Sequence, residues 1–564
     1  MSGIYGTLRQ YSDENASRKI AQLKHRGPVQ VLDMQPNTPA AVLDGSFYNQ
    51  STDVLLELYS RYGVDCLHQI NGDFAFVIYD PNGQRLFGAV DRVGSKPLYY
   101  SLENGFEFCS HLLPLCIGNS YSIDPYARQC YFAMQYVPAP NSIVKEVHKM
   151  AAGEYFIYNL ADGSFSTHSY WDLYANTQQR QAPKSFDEAV KVCDELIADA
   201  VQKRMGGEPQ YALFLSGGID SSLVSAYARR YADCKAYSVS FNESNWDESS
   251  YSSQVAKHLG IPCERLLFSF RDATNILSNL QNYYDEPIGD ASMLPTSFLC
   301  EQVGRQAPRA LCGDGGDEVF FGYPRYLRYA KRQKVYTIPG IFRKTAAGLL
   351  DLCGKKREAL SLRLDDVQTL YLNRRKYNPA ELFDALSIQQ SIPQCKYLYQ
   401  NKEAMRAFND FDIKTVLPYE LCVKMDRASV RGNIATQAPL LDYRLLEYSR
   451  IIPSEILYKP EMGQKSILRV ILYREVPQEL FMRHKRGFGV PINAWFRDGL
   501  KEYLVDTLNA DTAQLLPEYD SAKLLQMRDS HINATADYAP FLWMVVNYIE
   551  WHRLFRKMTE GQGR

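Results

Sequence analysis

Phe214-Leu215-Ser216-Gly217-Gly218-Ile219-Asp220-Ser221-Ser222 is the stretch from which the rest of the chain can be read. A strand-like run, Tyr211 to Leu215, breaks into a tight glycine turn and opens a helix from about Leu223. Gly217 and Gly218 let the backbone reverse sharply and approach a phosphate with no Cβ in the way. The helix start supplies unpaired N–H groups and the positive end of the dipole. Ser216, Ser221 and Ser222 add hydroxyl donors, and Asp220 adds a carboxylate of the kind that holds Mg²⁺ beside phosphates. These residues read as a nucleotide site; a plain β-to-α turn with a capping Ser and Asp is the alternative for the fragment alone.

Outward from the turn, strands alternate with helices. A helix is expected from Phe186 to about Met205, then the core strand, a helix Leu223 to Tyr231, a strand Lys235 to Phe241 and a helix Ser249 to Leu259. This order implies a doubly wound parallel sheet with ligands at the C-terminal ends of its strands. Arg309-Ala310-Leu311-Cys312 reads as a further short strand ending in Gly313-Asp314-Gly315-Gly316-Asp317-Glu318, and three glycines with three acids in six residues are more than a turn requires. From about Arg325 the pattern is mostly helical. Leu417 to Val430 carries Lys424, Asp426 and Arg427, for which a buried ion-pair network holding helices together is one reading.

SGGIDSS resembles the SGGxDS pyrophosphate loop of the ATP pyrophosphatases and differs from the GxxxxGK[ST] loop of kinases and GTPases. Asp285-Glu286-Pro287 with Leu294-Pro295-Thr296, the Gly313 to Glu318 run, Lys424 to Ser429, Pro439-Leu440-Leu441-Asp442 and Lys485-Arg486-Gly487-Phe488-Gly489-Val490-Pro491 follow in the order of one family in that group. The chain is identified through them as resembling the asparagine synthetases and their relatives, over nearly its whole length. The resemblance implies ATP and Mg²⁺ as cofactors. It puts Leu215, Ser216, Gly217, Gly218, Asp220, Ser221, Ser222, Ser240 and Gly313 on the nucleotide, and Asp220 with Asp317 on the metal. Strand Ser238 to Phe241 and Trp246-Asp247-Glu248 resemble the border of the adenine and ribose pocket, where a polar loop capping the next helix is the plainer reading. Lys465, in Gln464-Lys465-Ser466-Ile467-Leu468-Arg469, matches the lysine on the α-phosphate and pyrophosphate. Asp314 stands where relatives place an acid or, in β-lactam synthetases, a tyrosine that helps deprotonate the attacking amine.

The first third reads as β-rich, with short aromatic and β-branched runs at Phe74 to Tyr79, Arg85 to Val90, Leu98 to Leu102, Phe106 to Ser110 and Tyr155 to Tyr158. Met1-Ser2-Gly3-Ile4-Tyr5-Gly6, His25-Arg26-Gly27-Pro28, Asn71 to Phe76 and Asp91 to Tyr100 resemble the glutaminase domain of class II amidotransferases, an N-terminal-nucleophile fold. That chemistry uses a cysteine whose thiol attacks the glutamine carboxamide. Here the residue is Ser2. The oxyanion-hole Asn-Gly becomes Asp44-Gly45, and an anionic Asp44 would repel a developing oxyanion; losing one such donor costs about 10²- to 10³-fold. The segment between Pro28 and Asp44 is too short for the loop whose arginine grips the glutamine carboxylate, while Asp53 matches the acid that binds the glutamine amine. A glutaminase fold kept as scaffold, with a vestigial site at Ser2, Asp44, Gly45 and Asp53, is the expectation.

The fold class expected is α/β: an N-terminal-nucleophile-type β-rich sandwich over residues 1–175, and over 185–564 a parallel-sheet ATP-pyrophosphatase domain with a helical C-terminal part, joined by a polar linker. The 564 residues, 46% hydrophobic and 23% charged, suffice for two or three cores. A net charge of −1 gives no electrostatic case for nucleic acid or a membrane surface as a general partner. Clusters such as Lys355-Lys356-Arg357 and Arg374-Arg375-Lys376 read as solvated faces. Twelve scattered cysteines without a CxxC pair fit a reduced cytoplasm. The apolar run Phe541 to Val546 is far shorter than the roughly 20 residues that span a bilayer.

One departure bears on substrate. The asparagine synthetases' Leu-Glu-Val-Arg-Val-Pro becomes Ile434-Ala435-Thr436-Gln437-Ala438-Pro439, losing both charges, which argues against an acidic amino acid with two carboxylates. The expected activity is an ATP-dependent amide-forming ligase that adenylates a small-molecule or peptide carboxylate and passes it to ammonia or an amine, as β-lactam synthetases and lasso-peptide cyclases do, in specialised-metabolite or peptide biosynthesis. Asparagine synthesis from aspartate is the alternative. A non-catalytic ATP-binding scaffold would be expected to have lost Asp220, Asp317 or Lys465, all present. A homodimer is the assembly expected.

Overall fold

The computed structural model describes the chain except residues 1, 10–12, 104, 175–176, 178–180, 207–209, 373–397, 400–402, 483–488 and 561–564. The basic cluster 374–376 and the Lys485 to Phe488 part of the last matched stretch lie outside the described residues. The N-terminal strands are β1 (Gly3–Thr7), β2 (Val29–Val31), β3 (Ala40–Phe47), β4 (Gly72–Asp80), β5 (Arg85–Val90), β6 (Tyr99–Ser101), β7 (Glu107–Cys109), β8 (His148–Lys149), β9 (Glu154–Asn159) and β10 (Phe165–Ser169). They form two five-stranded sheets, β2-β1-β7-β6-β8 and β10-β9-β5-β4-β3. Ile4 and Phe108 of the first, with Phe106 just ahead of β7, meet Val42, Ala75, Val77, Leu86 and Phe156 of the second in one core. The alternate residues of β4, Phe74, Phe76 and Ile78, join a second core that also holds Val190 and Ile197. Because β4 is buried on both faces, its sequence runs apolar without alternation.

After the helix Phe186–Arg204 comes a third sheet: β11 (Gln210–Phe214), β12 (Asp233–Phe241), β13 (Cys263–Phe268), β14 (Arg309–Leu311) and β15 (Ala435–Gln437). All four pairings are parallel, in the order β13-β12-β11-β14-β15. Successive strands leave β11 first on one side and then on the other. β11 and β14 are therefore neighbours at the switch in strand order, and the turns that follow them meet at the sheet's C-terminal edge, the point where such sheets bind ligands. The remainder is mainly helical, ending in the helix Ala539–Glu560. No described helix is long and apolar enough to cross a membrane.

Candidate active site

Gly217, following β11, adopts φ 72°, and a Cβ on it would fall 2.7 Å from the Ser252 amide nitrogen. Gly218 is extended and precedes the helix Ile219–Ala228. The helix thus starts at Ile219 instead of Leu223, because the two glycines complete the reversal and Ile219 can turn helical at once. Asp220, Ser221 and Ser222 become its first turn; the Ser222 amide already donates to the Gly218 carbonyl at 3.1 Å, which leaves the opening N–H groups ahead of it as the ones an anion would use. The Ser216 amide donates to Ser221 Oγ at 3.2 Å, and the Gly218 amide donates to Ser216 Oγ at 3.3 Å. Ser222 Oγ is buried with no hydrogen-bond partner among the described residues.

The turn after β14 packs directly on this one. A Cβ at Gly313 would lie 2.5 Å from the Ser221 amide nitrogen, and one at Gly316 only 2.2 Å from Asp220 Oδ1. Asp317 is thereby brought beside Asp220. Lys465 joins them from far along the chain: its Nζ lies 2.5 Å from Asp220 Oδ2 and 2.8 Å from Asp317 Oδ1. Burial alone would lower the Lys465 ammonium, but Asp220 and then Asp317 outweigh it and hold it above its ordinary value. Lys465 also has φ 59°, a left-handed conformation unfavourable for a side-chain-bearing residue, just ahead of the helix Ser466–Leu472. Strain of this kind persists where surrounding structure over-determines it, and it clusters at ligand clamps.

Above these residues opens a cleft of about 360 Å³. Leu215, Ser216, Asp220, Ser221, Gly313, Asp314 and Asp317 line it, as the sequence suggests; Gly217, Gly218, Ser222 and Lys465 are not among the lining residues. Ser240 does not line it and is buried within β12, while Ser238, Val239 and Phe241 do. Trp246 and Glu248 are on the wall, and Asp247 accepts from the Ser249 amide at 3.0 Å, so that loop both borders the cleft and caps the next helix.

Lys424 enters from the opposite wall, donating to Asp290 Oδ2 and Ser292 Oγ, both at 2.8 Å. Burial, opposed by Lys424, pushes the Asp314 carboxyl up, and burial together with the Asp317 charge pushes Glu318 up to about 7. Glu318 accepts from the Tyr323 hydroxyl at 2.6 Å. Asp290, Glu318 and Tyr323 were not singled out from sequence; only Glu318, inside the acidic loop, carried a signal. A wider cavity of about 600 Å³ continues from the cleft past Trp246, Asp290, Ser292 and Tyr323 to Arg328, Tyr329 and Trp543. Thr436 and Ala438 of the altered Ala435 to Pro439 segment line a small cavity of about 40 Å³ behind Asp314, whereas Ala435 and Gln437 line neither of the larger two.

Asp220 Oδ1 is buried without a hydrogen-bond partner among the described residues, while its other oxygen is on Lys465. A free carboxylate oxygen beside a second carboxylate suits a hard cation that keeps phosphate oxygens among its ligands, as Mg²⁺ does. Among the described residues no group of three or more His, Cys, Asp or Glu could hold a metal ion without such help.

The N-terminal residues meet differently. The Ser2 amide nitrogen donates to Asp44 Oδ1 at 3.1 Å, and Ser2 Oγ donates to the Leu43 carbonyl at 2.8 Å and accepts from Gln30 Nε2 at 3.0 Å. Asp44 is fully buried and pairs with Arg26 at 2.6 Å. Gly45 has φ 125°, and a Cβ there would strike the Asp73 carbonyl at 2.0 Å. Asp53 is exposed, and its carboxylate accepts from the Ser51 hydroxyl at 3.1 Å.

Arg26 extends this cluster into the second half of the chain, donating to Asp426 at 2.9 Å; Asp426 also takes Lys96 at 2.8 Å and Arg427 at 2.7 Å, and Arg427 holds Asp285. The ion-pair reading of the Leu417 to Val430 segment describes part of it. Asp426 and Arg427 belong to a buried ion network, and Lys424 to the cleft wall. The segment itself divides into a π-helical stretch, Leu417–Cys422, and the helix Val423–Gly432.

A family model described as asparagine synthase matches residues 193–553, and one described as a glutamine amidotransferase domain matches residues 43–171. Asparagine synthetase [glutamine-hydrolyzing] 1 of Bacillus subtilis is 27% identical over 526 residues, covering 90% of this chain and 81% of the relative. A putative asparagine synthetase [glutamine-hydrolyzing] 2 of Methanocaldococcus jannaschii is 32% identical over 399 residues, covering 67% of this chain and 76% of its own. An amidase of Gibberella zeae is 22% identical over 496 residues, covering 79% and 74%.

Proposed function

The chain belongs to the asparagine synthase family and is an ATP-dependent carbon–nitrogen ligase, and from that premise we propose that it adenylates a carboxylate larger than aspartate and joins it to ammonia or to a substrate amine. The observation that carries this is Lys465 seated between Asp220 and Asp317 beneath the two glycine turns. The turns and the first-turn N–H groups would bind the phosphates, and Lys465 would offset negative charge on departing pyrophosphate. Asp220 and Asp317 would hold Mg²⁺, which supplies charge neutralisation on the phosphates. The substrate carboxylate would attack the α-phosphate, releasing pyrophosphate. An amine nitrogen would then attack the acyl carbon, give a proton to Asp314, whose raised carboxyl is a better base than an ordinary one, and expel AMP.

Two features support the finer reading. The cavity of about 600 Å³ is within the range that holds drug-sized ligands, and its Trp246, Tyr323, Tyr329 and Trp543 offer aromatic surface beyond what aspartate could use. At Ser2 the backbone nitrogen is spent on the Asp44 carboxylate. The Ser2 hydroxyl is spent on a backbone carbonyl. The N-terminal half is therefore proposed not to hydrolyse glutamine.

The test is pyrophosphate release from MgATP with aspartate, given ammonium, glutamine or neither, with products identified by mass. Silence with aspartate under every nitrogen source, from protein that binds MgATP, supports the larger substrate. Asparagine formed from ammonium alone would restore aspartate while keeping the inactive glutaminase, and asparagine formed from glutamine would overturn both finer readings.

A further inference from the structure

The helix Gly340–Leu352 carries its apolar residues on the wrong side for a core. Ile341 is 72% exposed, Phe342 66%, Leu349 62% and Leu352 87%, with Ile338 just before it at 46%. Positions 341, 342, 345, 349 and 352 share one helical face, and of these only Thr345 is polar. The face is not left over from a poorly folded element. Ala347 on the other side is fully buried, and buried Arg343 donates to the carbonyls of Ile338, Leu362 and Leu364, clamping this helix to the helix Lys356–Arg363. Tyr336 adds a bond to the Ser361 carbonyl at 2.8 Å. The hairpin is held from within and turns its greasy side outward.

Its charge is as one-sided as its hydrophobicity. Residues 331–366 contain nine Lys and Arg against four Asp and Glu, in a protein whose net charge is −1. Asp351 is already paired with Arg363, and Asp366 is occupied by the Thr369 amide. Lys331, Lys334, Lys344 and Lys355 are exposed, and no ion pair engages them among the described residues. Exposed Ile, Phe and Leu rimmed by unpaired lysines is the arrangement of a helix that lies in an anionic bilayer surface, apolar face buried about 5–10 Å and cations at the headgroups. We propose that the segment Ile338–Lys355 is a peripheral docking surface for anionic phospholipid membranes. The preceding helix, Pro324–Arg332, contributes Arg325, Arg328 and Tyr329 to the wide cavity. A docked hairpin would therefore hold that cavity near the bilayer.

The full chain should be sedimented with vesicles of phosphatidylcholine alone and of phosphatidylcholine with phosphatidylglycerol in equal parts, at low and high salt. Expected is co-sedimentation with the anionic vesicles only, reversed by salt. The bound-to-free ratio should fall at least fivefold for each of Lys334→Glu and Lys344→Glu, since losing one surface cation alone is worth about 1 kcal/mol and each reversal also adds an anion, and more than tenfold for Leu349→Ser with Leu352→Ser. ATP binding by each variant, measured in parallel, keeps a misfolded variant from counting as support. Equal binding to both vesicle types, or binding untouched by the charge reversals, overturns the proposal. So does a lipid-free dimer that Leu349→Ser with Leu352→Ser dissociates, because the face would then belong to a second copy of the chain.

Discussion

Lys465 Nζ stands 2.5 Å from Asp220 Oδ2, so in this structure the carboxylate in the first turn of the helix Ile219–Ala228 already has a cation. The two residues lie 245 positions apart in the chain. Their meeting depends on Gly322, where a Cβ would fall 2.3 Å from Lys465 Cε and 2.1 Å from Asp317 Oδ1.

Lys465→Ala should reduce pyrophosphate release by about 10²- to 10³-fold, the scale for losing one charge-stabilising donor. The variant also leaves Asp220 and Asp317 without their cation. Added Mg²⁺ alone, with no nucleotide, should therefore raise the thermal midpoint of the variant more than that of the parent. An equal shift in both proteins would mean that Lys465 does not neutralise the pair.

Ser2→Cys should not produce glutamate from glutamine, because the thiol would still sit beside Asp44 and lack an oxyanion donor there. Asp44 itself is structural. Asp44→Ala should cost about 3 kcal/mol, at the low end for breaking a buried ion pair because Arg26 keeps Asp426. Asp53→Ala, at an exposed position, should stay within about 0.5 kcal/mol. Urea unfolding of the two variants separates them.

The glycine turn after β11 and the acidic loop are legible in the sequence because each is local: glycine backbone freedom and a helix start are properties of adjacent residues. The start of the helix was misplaced because its first turn is made of serines and an aspartate, residues that favour caps over helix interiors. What could not be read was nonlocal. Asp44 looked like a damaged oxyanion residue, yet its partner Arg26 continues to Asp426 across 400 positions. The outward face of Gly340–Leu352 was hidden for another reason. Whole-chain net charge averages its lysines away, and helical spacing alone does not say which side faces the core.

Gly316→Ala should abolish MgATP binding while leaving the fold intact. The new Cβ would lie 2.2 Å from Asp220 Oδ1, so the carboxylate must leave its place on the cleft floor. Gly206→Ala, where a Cβ meets nothing within 4 Å, should bind as the parent does. Nucleotide titration by calorimetry compares them, and retained binding in Gly316→Ala would mean that Asp220 tolerates displacement.

Acid stability should depend on His25. Its Nδ1 is 2.6 Å from the Gln22 carbonyl, and burial, with the Arg26 charge next to it, lowers its pKa to about 4. Arg427 acts in the same direction, Asp285 against it, and His111 packs edge-on at 4.7 Å. A base whose folded pKa is depressed is neutral in the native state and charged in the unfolded one between about 4 and 6.5. Folding stability is therefore lost as pH falls through that window, by roughly 3 kcal/mol at about 1.4 kcal/mol per unit. The ionised carboxylates of the same network do not mimic this, because Asp285, held down to about 2 chiefly by Arg427 against its burial, loses its contribution only below the ordinary carboxylate range. His25→Phe should flatten the slope of urea stability between pH 6.5 and 4 even though it forfeits the bond to Gln22, and an unchanged slope would assign the acid sensitivity elsewhere.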